Sequence, residues 1–144
     1  MSRATPKLQA FAEHLIVYET RGNKSSGTQI PEACFVYEKL RPNLANLMGT
    51  AGFRALLARS LALSNAQFPW LRAVHVNADG SFEGFDDLKA QVDPDEIFKG
   101  CVFMFAEVLG LLVTFIGENL ALRLVREVWP ALPLPDHSNF DESD

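Results

Sequence analysis

Between Cys101 and Gly117 the chain reads CVFMFAEVLGLLVTFIG, seventeen positions with one charged residue, Glu107. Apolar side chains lie on every side of any helix this run forms. That leaves two settings for it: the middle of a helical bundle or the interior of a bilayer.

The helical pattern continues on both sides, from Asp93-Pro94 to Trp129, where Pro130 stops it. Asp93 as cap, Pro94 at the first position and Glu96 at the third predict a capped start. An unbroken helix over this range would be about 54 Å long. A compact chain of 144 residues has a radius of gyration of only about 14–15 Å. The helix therefore breaks or projects. Gly110 and Gly117 are the weak points, each costing roughly 1 kcal/mol relative to alanine. Gly117-Glu118-Asn119 is the expected break, although the apolar phase through Leu109, Leu112, Val113, Ile116, Leu120 and Leu124 also runs straight across it.

A membrane span needs about 17–25 residues, and a carboxylate at its middle costs at least roughly 2.5 kcal/mol. Lys99 flanks one end and Arg123 and Arg126 the other, so no orientation is encoded. The run is read as a core helix of a protein that stays out of the membrane. On that helix Gly100, Phe103, Glu107, Gly110, Thr114, Glu118 and Ala121 share one side, a seam of small and polar groups. Three readings fit the seam: a narrow strip facing solvent, which is the simplest, a close helix crossing, or a cavity lined by Glu107 and Glu118.

The other elements follow from periodicity. Thr5 and Pro6 start a helix whose stripe is Leu8, Phe11, Ala12, Leu15 and Ile16. Thr20 to Gln29 is apolar-free and reads as a mobile loop. From Pro31, the residues Ala33, Val36, Tyr37, Leu40, Leu44, Leu47 and Met48 keep one helical phase, with Pro42 predicting a kink. Gly49 to Gly52 ends that element. A further helix places Phe53, Leu56, Leu57 and Leu61 inward and Arg54 and Arg59 outward.

The one β signal lies at about residues 70–85. Asn77-Ala78-Asp79-Gly80 fits a type I turn with Gly80 left-handed. Val76 then opposes Phe82 and His75 opposes Glu83, an apolar pair and a polar pair on opposite faces. Asp86 to Val92 gives a short helical turn. Residues 133–144 form an acidic tail with little to pack, read as extended or disordered.

The net charge of −5 opposes nucleic-acid binding through phosphates, which needs a basic face. Cys34 and Cys101 are far apart, without C-x-x-C spacing. They are expected as buried free thiols, and they suggest a reducing, cytoplasmic setting. His14, His75 and His137 lack metal-ligand spacing. A calcium loop centred on Gly80 would put His75 where a carboxylate is needed and Asp86 where Glu belongs, so the hairpin explains those residues better. No nucleophile elbow, phosphate loop or dinucleotide fingerprint occurs, and no cofactor is implied. Arg123 and Glu127 are expected to pair along the last helix.

The expected architecture is mainly α: a single domain over residues 1–132, with four or five helices around the Cys101–Gly117 helix and one hairpin. An isolated hairpin is marginal, so it should lie on the helices through Trp70, Val74, Val76 and Phe82 or pair with a second chain. The leading functional expectation is a non-enzymatic interaction or regulatory module, a homodimer or an adaptor for another cytoplasmic protein. Trp70, Val74, Val76 and Phe82 are its candidate contacts. The alternative is a sensory domain holding an apolar small molecule or lipid, with Phe103, Phe105, Leu112, Phe115 and Trp129 lining the pocket and Glu107 orienting a polar head. A third class would use Glu107 and Glu118 as an acid/base pair.

Overall fold

In the computed structural model, residues 6–22 and 35–130 are described. The Thr5 cap, residues 23–29 of the expected loop, the helix start at Pro31, Cys34, His137 and the acidic tail lie outside them. The first three residues of that loop, Thr20 to Gly22, are instead the last turn of a helix. The element order is α1 (Pro6–Gly22), α2 (Phe35–Asn65), a short 3-10 helix (Pro69–Ala73), β1 (His75–Val76), β2 (Phe82–Glu83), α3 (Phe85–Gln91), α4 (Pro94–Ile116) and α5 (Glu118–Val128). The chain is mainly α with one antiparallel hairpin.

The answer to the apolar run is α4. Among the described residues it is the one helix long and apolar enough to cross a membrane, and 72% of its most apolar window is buried inside the protein. Both α1 and α2 pack chiefly on it. Its side chains from Gly100 to Leu112 are buried apart from Phe103, which is half-buried. Burial on both flanks is what all-round apolarity requires of a helix surrounded by protein.

Glu107 is 0% exposed, which overturns the reading of its seam as a solvent strip. The physical reason is that two helices, α1 and α2, pack on α4, which encloses the turn around Glu107. Of the seam residues only Thr114, near the helix end, is exposed, and its hydroxyl donates back to the Gly110 carbonyl at 3.0 Å.

The helix breaks where expected. Gly117 has φ 88° and ψ 159°, and α5 starts at the next residue. A second glycine, Gly49, interrupts α2 with nearly the same pair of angles, φ 81° and ψ 157°. This region is essentially closed to residues with a Cβ. Helical backbone continues through Pro42, so the α2 elbow belongs to Gly49 and not to the proline. Before the elbow Val36, Tyr37, Leu40 and Leu44 are buried; after it Phe53, Leu56, Leu57 and Leu61 are. Leu47, expected in the inward stripe, is instead 46% exposed. It sits next to the elbow, where the stripe changes direction. The start of α4 also differs: Asp93 accepts the first helical bond through its carbonyl, from Ile97 N–H at 3.0 Å, with no side-chain cap bond. The exposed helix start leaves solvent to satisfy the remaining donors.

The hairpin register is His75 opposite Glu83 and Val76 opposite Phe82. The turn closes through Asn77 N–H to Ser81 O at 2.7 Å and Gly80 N–H to Asn77 O at 3.0 Å, with Gly80 at φ 89°. The hairpin is stabilised by docking on the bundle. Phe82 meets Tyr37 edge-on at 5.2 Å, and Tyr37 meets Phe105 of α4 at 5.4 Å. The Tyr37 hydroxyl donates to the Cys101 carbonyl at 3.0 Å, so one ring ties α2, α4 and β2 together. Such aromatic pairs contribute about 0.5–1.5 kcal/mol each beyond their buried area.

Candidate functional site

The residues singled out as contact anchors face inward. Val74 and Phe82 are buried, and Trp70 and Val76 are half-buried and packed against the core. The Trp70 indole stands on Gly100 of α4. A Cβ at Gly100 would lie 2.5 Å from Cζ2 of that ring, so the missing side chain is what admits it. Phe68 completes the stack, edge-on to Trp70 at 6.2 Å and tilted against Phe103 at 5.7 Å. Of the seam's small residues, Gly100 is the one on which the Trp70 indole of the 3-10 helix comes to rest.

The residues of the alternative pocket separate into core and surface. Phe105, Glu107, Leu112 and Trp129 are buried, Phe103 is half-buried under Phe68, and Phe115 is 63% exposed. The two surface concavities described below share no residue with this set. Glu118 lies beyond the Gly117 break, so it and Glu107 belong to different helices. Among the described residues no three His, Cys, Asp or Glu side chains gather where they could hold a metal ion, and Cys101 is buried.

A buried polar contact that the sequence did not suggest joins Trp129 to Glu19. The indole N–H donates to Oε1 at 2.9 Å, and Lys39 Nζ lies 3.4 Å from the same oxygen. Glu19 is 4% exposed. It ties the end of α1 to α2 and to the residue that closes α5. Its pairing is tertiary in origin, and no local spacing announces it.

The first concavity is an open groove of about 510 Å³ between the part of α2 after Gly49 and the 3-10 helix with β1. Ala51, Ala55, Ala58 and Ala62 form its floor, and Arg54, Arg72 and His75 lie along it. The second is a furrow of about 280 Å³ between α2 and α5. Leu47 and Leu120 lie in it, 46% and 38% exposed, with Asn43, Asn46, Arg123 and Glu127 around them. Arg123 and Glu127, expected to pair along the helix, make no ion pair among the described residues and are both exposed. At exposed sites the side-chain entropy lost on pairing offsets most of the attraction.

Comparison with protein-family models, with curated proteins and with solved structures finds no match for this chain.

Proposed function

We propose that this chain is a non-enzymatic interaction module that acts as a homodimer, with the α2/α5 furrow as the face that meets a second copy. The observation that carries the reading is the side-by-side exposure of Leu47 and Leu120 within a polar border. An apolar centre with a polar rim is the anatomy of a protein interface. The furrow also complements itself in charge. In a two-fold arrangement, Arg123 meets Glu127 of the partner subunit and Glu127 meets Arg123 of the partner subunit, because a residue pair is repeated by the symmetry. The packed state of Phe105, Leu112 and Trp129 supports binding at the surface in preference to a ligand held inside the bundle.

Sedimentation velocity over a range of protein concentrations tests the proposal. A concentration-dependent dimer is expected, weakened by Leu47→Asp. Arg123→Glu and Glu127→Arg should each weaken it, and the two together should restore it. A wild-type protein that remains monomeric throughout, or a dimer indifferent to Leu47→Asp, overturns the reading.

A further inference from the structure

The groove after Gly49 has a charge pattern that the rest of the chain lacks. The protein carries 18 acidic against 13 basic residues. Yet the groove lining contains Arg54, Arg72 and His75 and no aspartate or glutamate. Neither arginine makes an ion pair among the described residues. His75 sits opposite Glu83 across the hairpin, so the two arginines supply the net positive charge.

We infer that this groove is a docking site for an acidic peptide segment of another protein. Its shape selects an extended chain. The stripe from Ala51 to Asn65 is about 21 Å long at 1.5 Å per residue, enough for about six residues of extended peptide. Small-molecule sites enclose most of their ligand, whereas this trough is open along its length. The alanine floor lets a peptide backbone approach α2 closely. Val76 adds a main-chain contribution. It is the non-hydrogen-bonded partner of Phe82, between the bonded pair Asn77–Ser81 and the pair His75–Glu83. Its N–H and C=O therefore point away from β2, along the open edge of the hairpin. Pairing with an open strand edge is a recurrent mode of peptide capture. Asn65 adds a polar side chain at the far end.

A polynucleotide fits the same groove poorly. No phenylalanine, tyrosine or tryptophan lines it to stack a base. The chain's net charge of −5 repels a dense row of phosphates, whereas a short peptide with a few carboxylates meets much less repulsion. The groove shares no residue with the α2/α5 furrow, so a peptide bound there does not occupy the proposed dimer contact.

Fluorescence anisotropy of the full chain with a labelled peptide of repeating Glu-Ala pairs tests the site. Saturable binding is expected, weakening as salt is added, with no binding of the matching Lys-Ala peptide. Arg54→Glu together with Arg72→Glu should lower the affinity by about tenfold or more, the scale of two reversed surface charges. Ala58→Trp, which fills the exposed floor and keeps both arginines, should also lower it. Equal affinity for the acidic and basic peptides, or undiminished binding by the charge-reversed protein, overturns the inference. Competition by an oligodeoxythymidylate at the peptide's own affinity also overturns it, in favour of a general polyanion site. Binding that appears only when Asp141, Glu142 and Asp144 are replaced by alanine would assign the groove to this chain's own acidic segment, and would overturn the partner.

Discussion

Trp129 donates its indole N–H to Glu19 across 2.9 Å, and 110 positions of sequence separate the two residues. The carboxylate is almost wholly buried, and Lys39 approaches it from the half-exposed side at 3.4 Å. A hydrogen bond to a charged acceptor contributes about 1.5–3 kcal/mol. Trp129→Phe keeps most of the ring and removes the donor, so it should lower stability by about that amount. Urea unfolding reads the effect as a lower midpoint at unchanged slope. Glu19→Gln retains an acceptor oxygen and should cost less. If Trp129→Phe unfolds at the wild-type midpoint, the bond contributes nothing.

Gly100→Ala sets two effects against each other. Alanine favours a helix interior by about 1 kcal/mol over glycine. The added methyl would lie 2.5 Å from the Trp70 ring, and overpacking typically costs about 1–3 kcal/mol. The expected net result is destabilisation. In a Trp70→Leu background the obstruction is gone, and the same alanine should become stabilising. A double-mutant cycle measures that change of sign. Additive effects would show that the indole does not rest on Gly100.

The glycines of the turn and of the α4/α5 elbow separate backbone strain from collision. A Cβ at Gly117 would meet open space, so Gly117→Ala should cost only the backbone penalty, about 1–3 kcal/mol. At Gly80 the backbone is also left-handed, and a Cβ would lie 2.8 Å from the Phe53 ring. Gly80→Val should therefore cost more than roughly 1 kcal/mol, above the range of benign glycine changes. Thermal melting of the variants gives the comparison. An unaltered melting temperature for Gly80→Val would remove the support for the turn.

Asp79 sets a pH dependence. Its Oδ1 accepts from the Ser81 hydroxyl at 2.6 Å and from the Ser81 N–H at 2.9 Å. These bonds, with a smaller contribution from the Arg41 guanidinium, hold the carboxyl below the ordinary aspartate range. A depressed carboxylate stabilises the fold above its unfolded-state pKa, and the benefit is lost as pH falls through the lower folded-state value. Asp79→Ala should therefore unfold more readily than wild type at neutral pH, with a gap that closes in strong acid. The side chain is exposed, so the gap will be small. A gap of constant size across that range would contradict the assignment.

The hairpin was legible because its information is local. Turn residues, alternation and cross-strand partners lie within nine positions, His75 to Glu83, and the observed register is the expected one. The Gly117 break was legible because a helix too long for the molecule must bend somewhere, and Gly117 is followed by the polar pair Glu118-Asn119. What the sequence concealed depends on distant segments. Glu19 looked like an unremarked helix residue, and Trp129 like an apolar one, because neither shows its partner locally. Leu47 was placed inward because the phase through Pro42 continued, while the Gly49 elbow redirects the stripe at that point. The groove was missed for another reason. Alanines on the outward side of α2 are good helix formers anywhere, so Ala51, Ala55, Ala58 and Ala62 signal nothing until the hairpin forms the opposite wall.

The packing of α1 and α2 on α4 also governs the order in which the chain can become ordered during synthesis. The N-terminal helices bury their stripes against a surface that starts at Pro94 and finishes at Ile116. Until that surface has left the ribosome, Leu8, Phe11, Leu15, Leu40 and Leu44 have no native shelter from water. Apolar surface left open in that interval is exposed to aggregation. A nascent chain stalled before residue 94 should therefore be more sensitive to protease, and more retained by chaperones, than one stalled after α5 has emerged.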